Sequence, residues 1–151
     1  MNGNVRVIRG PDAKKDAATG FEYRAGVVAE TVGAERIALQ LVRIAPGVRS
    51  QAHSHGEHES AVFVLEGEVV TWFGDEMLKH VTAKAGDFVF IPANVPHVAA
   101  NYGDADAVAL VARSDPEGQE SMKMFPKLDR LPHLLQPPSK LPPPRAPRRP
   151  V

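Results

Sequence analysis

Three histidines fall in one heptapeptide, His53-Ser54-His55-Gly56-Glu57-His58-Glu59, and a fourth, His97, stands alone at the end of Pro92-Ala93-Asn94-Val95-Pro96-His97. Side chains of a strand alternate between its two faces, so on a strand His53 and His55 point the same way. A third imidazole from a neighbouring strand would then complete a nitrogen-donor metal site. Glu59 is the first candidate for a fourth, carboxylate ligand, with His58 and Glu57 ranked behind it. The chain has no cysteine. Disulfides, thiolate ligands and a cysteine nucleophile are thereby excluded, and any metal must be held by nitrogen and oxygen donors.

Such a site needs strands to hold it. Short apolar runs broken by turn residues dominate the chain. They predict strands at 5–9, 21–29, 36–44, 60–65, 68–72, 79–82, 87–91, 97–100 and 107–113, with turns at Ala45-Pro46-Gly47, Leu65-Glu66-Gly67, Phe73-Gly74-Asp75, Lys84-Ala85-Gly86-Asp87 and Asn101-Tyr102-Gly103-Asp104. Many short strands with regular turns argue for an antiparallel sandwich or barrel. Alternation would turn Val62, Val64, Phe88 and Phe90 into its interior, an apolar wall suited to a small organic ligand.

The glycines and prolines flanking the histidines have a fixed spacing. Five residues separate Gly47 from His53 and one separates His53 from His55; Gly86 is followed by five residues, Pro92, then His97, three residues and Asn101. This resembles the two motifs of the cupin superfamily, Gly-x5-His-x-His-x3-4-Glu-x6-Gly and Gly-x5-Pro-x-Gly-x2-His-x3-Asn. In the second motif Asn94 replaces a glycine, and asparagine is the residue after glycine that best tolerates a left-handed backbone. In the first, six residues lie between Ser60 and Gly67, whereas three lie between His55 and Glu59, so the two halves of the motif point to different positions. A bulge would turn Glu59 inward. Strict alternation instead puts Ser60, Val62 and Val64 inside, leaving three imidazole ligands, a set similar to that of some thiol and aromatic-acid dioxygenases of the superfamily. The fourth position thus stays open among Glu59, Ser60 and His58.

The resemblance implies an all-β fold, a double-stranded β-helix (cupin jelly-roll barrel) with a Pro-rich C-terminal tail. It also implies one divalent transition metal (Fe, Mn, Ni or Zn) on His53, His55, Glu59 and His97, and a small-molecule substrate. Pairing into a homodimer is expected too, with residues 5–29 near the interface. An oxygenase-type reaction is the leading expectation, with decarboxylase, isomerase or lyase chemistry, or a non-catalytic binding or sensor role, as alternatives.

With 151 residues, 43% of them hydrophobic, the chain matches one small domain. The expected division is 1–35 as N-terminal strands or arm, 36–114 as barrel core, 115–136 as an extension containing a short helix or arm and a weak apolar patch at 128–136, and 137–151 as a Pro/Arg-rich tail. Proline removes backbone donors and favours extended conformations, so this tail is expected to be disordered or laid against a partner. Eighteen basic and eighteen acidic residues balance. Neither this balance nor any basic window with interleaved aromatics favours nucleic acid. No run reaches membrane-spanning length and Met1-Asn2-Gly3-Asn4-Val5-Arg6 lacks a signal-peptide pattern, so the cytoplasm is the expected location. No Ser-His-Asp arrangement or phosphate-cradling glycine loop is present to suggest other chemistry.

Overall fold

The computed structural model describes residues 3–18, 20–118 and 121–141. Of the tail expected at 137–151, residues 142–151 lie outside the described residues, whereas Pro138–Lys140 form a 3-10 turn and Leu141 packs against a core cluster. Eleven strands form among them: β1 (Lys14–Ala18), β2 (Phe21–Val27), β3 (Ala38–Ile44), β4 (His53–Ser54), β5 (Ser60–Glu66), β6 (Glu68–Phe73), β7 (Lys79–Lys84), β8 (Phe88–Ile91), β9 (His97–Ala100), β10 (Ala107–Arg113) and β11 (Lys123–Met124). One short helix, α1 (Ala29–Val32), links β2 to β3. The strands make two antiparallel sheets in the orders β1-β2-β3-β10-β5-β8 and β11-β4-β9-β6-β7. This is the jelly-roll barrel, and its two inner faces meet on Phe21, Val42, Ile44, Val64, Val69 and Ala107.

The N-terminus departs from expectation. Residues 5–9 form no strand, and Val5 and Val7 are exposed at 99% and 68%. The sheet edge beside β2, whose other neighbour is β3, is instead formed by Lys14–Ala18, a charged segment with little intrinsic strand preference that tertiary pairing overrides. Residues 115–118 and 121–125 contain no helix; this stretch is an arm that ends in β11, which pairs with β4.

The largest correction concerns β8. Phe88 and Phe90, expected inside, are 82% and 61% exposed. In the β5–β8 ladder Val62 faces Val89 and Ser60 faces Ile91, so Val89 and Ile91 line the interior. A one-residue difference in register flips every side chain. The tight turn at Lys84–Asp87 fixes this register: the Gly86 amide donates to the Val64 carbonyl, the Val64 amide to the Asp87 carbonyl, and the Lys84 amide to the Asp87 side chain.

Between β5 and β6, Gly67 sits at φ 73°, and a Cβ there would lie 2.8 Å from the Asp106 carbonyl oxygen. Only glycine satisfies both the left-handed backbone and that close approach.

A second core covers the back of the five-stranded sheet. Ala52, Val70, Trp72, Met77 and Val98 pack under Leu134, with Phe125, Leu128, Leu131 and Leu141 around them. The apolar patch at 128–136 thus becomes two 3-10 turns, Leu128–Arg130 and Pro132–Leu135, clamped onto the sheet. Trp72 Nε1 donates to the Tyr102 hydroxyl at 2.8 Å, which donates in turn to the Leu134 carbonyl at 2.7 Å. The tryptophan is therefore buried with its one donor satisfied.

Candidate metal centre

The sheet pairing itself brings two histidines together. β4 and β9 pair with His53 directly opposite His97, and the two rings lie 4.4 Å apart between centroids. His55, two residues on and on the same face, lies 4.9 Å from His53 and 5.5 Å from His97. All three side chains are buried, and one ring nitrogen from each lies within 4.8 Å of the others.

Loop contacts hold the triad in place. Asn94, at φ 61°, takes the left-handed conformation expected of it, and its amide donates to the Gly56 carbonyl, tying the two histidine-bearing loops together. Asn101 is structural: its Nδ2 donates to the Ile44 and Ala105 carbonyls and its Oδ1 accepts from the Gly103 amide. β4 is only two residues long and is held from outside by β11, where Met124 pairs with His53. Upstream, Arg49 donates to the Asp129 carboxylate at 2.7 Å and to the Asp129 carbonyl at 2.8 Å. The same carboxylate accepts the Ala52 amide at 2.9 Å. The C-terminal arm thereby anchors the strand that carries the first two histidines.

The environment selects the ligand form of imidazole. Nδ1–H of His53 donates to the Gln51 carbonyl at 2.6 Å and that of His97 to the Val95 carbonyl at 2.9 Å, which leaves each Nε2 as a lone pair. Burial lowers all three pKa values from the usual 6.5: His55 to about 2, His97 to about 3, and His53 in the same direction. Desolvation dominates in each case, with lesser repulsion from Arg113. Neutral imidazole is what a divalent ion requires. Nδ1 of His55 is buried with no hydrogen-bond partner. An orphaned polar atom inside a nitrogen-donor cluster fits an ion that completes the site.

Glu59 is not brought to this cluster. Its side chain is exposed, and its backbone amide donates to Ser114 Oγ while its carbonyl accepts the Ser114 amide. β5 begins at Ser60 in regular register with Arg113, and the irregularity in the β5–β10 ladder falls at the other end, between Val108 and Ala109. Alternation therefore runs undisturbed through Ser60, which is 2% exposed and faces inward. His58 is half-buried beside the Asp115 carboxylate, 3.9 Å away, and Glu57 is exposed.

Two site residues escaped the sequence reading. Arg113, the last residue of β10, and Tyr23 of β2 both line the cavity in front of the triad. Alternation back from Arg113 through Val111 and Ala109, both cavity residues, was the available signal. The cavity measures about 70 Å³; its apolar walls include Val62, Val64, Val69, Val89, Ile91 and Ala99, and Ser50 and Thr71 also line it.

A jelly-roll barrel with a buried three-imidazole cluster that could hold a metal defines a cupin-type cup. The family model described as a cupin domain matches residues 40–113, and the chain belongs to the cupin superfamily. Among solved structures it is similar to an oxalate decarboxylase from Lactobacillus farciminis (23% identity, TM-score 0.66, covering 78% of this chain and 35% of that one). It is also similar to the polyketide cyclase RemF from Streptomyces resistomycificus (20%, 0.66, 81% and 86%). A third is a cupin sugar phosphate isomerase from Silicibacter pomeroyi (27%, 0.53, 64% and 60%). The chain spans about a third of the length of the oxalate decarboxylase. No curated protein matches the sequence.

Proposed function

We propose that this cupin is a metal-dependent enzyme in which His53, His55 and His97 hold one divalent transition ion (Fe, Mn, Ni or Zn) and a small organic substrate undergoes an oxygenase-type reaction. The observation that carries the reading is the convergence of three buried, neutral imidazoles on one point of an apolar cavity. A first-row ion bound there would supply Lewis-acid or redox chemistry at coordination positions the three nitrogens leave open. The chain's own contribution is to orient the imidazoles through the Gln51 and Val95 carbonyls and to exclude bulk water with the valine-rich wall. The preference for oxygenation rests on the three-imidazole set, since the neighbours' names span decarboxylation, cyclisation and isomerisation and fold alone selects none of them.

The ligand set has a direct test. Glu59→Gln is expected to keep one equivalent of metal, measured by elemental analysis, because its side chain faces solvent; loss of metal would restore Glu59 as a fourth ligand. Oxygen consumption by iron-loaded protein against a panel of small organic acids and ketones tests the reaction. Substrate-dependent uptake supports oxygenation, product without oxygen uptake moves the assignment to lyase or isomerase chemistry, and saturable binding without turnover favours the sensor reading, for which the narrow apolar cup is the supporting observation. A cytoplasmic homodimer belongs to the same proposal. Support for self-association comes from the outer face of the six-stranded sheet, where Ile37, Leu39, Phe88 and Phe90 are exposed. Light scattering at twice the chain mass is the expected result.

A further inference from the structure

Arg113 is a buried cation inside an apolar cup. Its side chain is 7% exposed and lines the same cavity as the three histidines. Nε–H donates to Ser60 Oγ at 3.0 Å and Nη1–H to the Gly118 carbonyl at 3.2 Å. Two of the five guanidinium hydrogens are thus occupied by neutral acceptors, and three remain. No ion pair to Arg113 forms among the described residues. The buried acid nearest in sequence, Asp115, is instead engaged by the Glu117 amide, the Ser121 hydroxyl and His58. The cavity lining contains no Asp or Glu at all. Desolvation of the buried guanidinium outweighs its attraction to the Asp115 carboxylate, and a divalent ion on three neutral ligands would add to the same positive excess.

Ser60 occupies a position that alternation turns into the barrel, and there it holds Arg113 instead of supplying a carboxylate. We propose that the missing anion is delivered by the substrate: Arg113 recognises a carboxylate on the small molecule bound in front of the triad. The planar guanidinium fork suits the two oxygens of a carboxylate. Arg113 is the one permanently charged group of the lining, beside the Tyr23, Ser50 and Thr71 hydroxyls, which suits a carboxylate monoanion better than a phosphate dianion. This substrate class rests on the reading of the triad as the reacting centre.

The test uses the full chain loaded with zinc, acetate as probe and acetamide as its uncharged isostere, with binding followed by NMR saturation transfer and zinc content measured on the same samples. Wild type is expected to bind acetate at least tenfold more tightly than acetamide. Arg113→Lys and Arg113→Met are expected to weaken acetate at least tenfold while zinc stays near one equivalent. Ser60→Asp keeps the guanidinium paired and the barrel folded, so it serves where the Arg113 variants do not fold. An internal carboxylate there is expected to abolish acetate binding. Equal affinity for acetate and acetamide, or wild-type acetate affinity in Arg113→Met or Ser60→Asp, overturns the proposal. Loss of zinc together with acetate in Arg113→Lys also overturns it, because the arginine then only supports the triad. Wild type without zinc, whose acetate binding still depends on Arg113, upholds carboxylate recognition and removes the triad reading.

Discussion

His97→Ala reduces bound transition metal from near one equivalent to none, while the barrel keeps its far-ultraviolet spectrum and its cooperative unfolding. The residue lies mid-sheet in β9 and makes one side-chain hydrogen bond, to the Val95 carbonyl, whereas backbone pairing with β4 and β6 does not depend on its ring. Two imidazoles alone hold a divalent ion far more weakly than three. The small core around Phe21, Val42 and Ile44 is not touched by the change. Elemental analysis of chelator-free protein beside a thermal melt reads both halves of this result. Metal retained in the variant would place the ion elsewhere, and wholesale unfolding would make the site structural.

Acid is expected to unfold the metal-free protein well before carboxylate protonation could. Each triad histidine has a folded pKa held below its unfolded value of 6.5 by burial. Lowered folded values mean that the unfolded chain takes up protons first. The stability is present in full above pH 6.5 and is lost as pH falls from there toward about 3 for His97 and about 2 for His55. The limiting slope is about 1.4 kcal/mol per pH unit for each imidazole, so about 4 for three together. A small domain has only about 5–15 kcal/mol in total, so the metal-free protein should approach its unfolding transition near pH 5. Urea midpoints at pH 7.5, 6.5, 5.5 and 5 measure the slope. Replacing His97 should remove about a third of it, and a flat profile would show that the three rings are not protected from protonation in the fold.

Most of the barrel was legible because its strands alternate cleanly between turns that only glycine, proline or asparagine make easily. β9 and β10 have the predicted bounds, and β3, β5, β6 and β7 differ from theirs by one or two residues at an end. The histidine triad was legible for the same reason, since a His-x-His pair on a strand must share a face. What failed depended on long-range pairing. β1 exists because β2 offers an edge to Lys14–Ala18, which no local propensity foretells. The inward face of β8 is set by hydrogen bonds from the Gly86 turn to Val64, and Phe88 and Phe90 are on the other face. Arg113 was passed over because a charged residue ending an apolar strand reads as a step into solvent; only the burial supplied by Ser60 and Gly118 turns it inward.

The contact between β11 and β4 separates the unit that defines the family from the unit that can fold. Residues 40–113 contain all three histidines but lack Met124, which pairs with His53, and Asp129, which anchors Arg49 and Ala52. Cut to that segment, the ligand strand would become a bare sheet edge, a template for pairing with other chains, and Trp72, Val70 and Val98 would lose their cover. Changes in the arm, remote in sequence from any histidine, can thus tune the site through the strand they brace. The arm offers variation a route to the chemistry that leaves the ligands untouched.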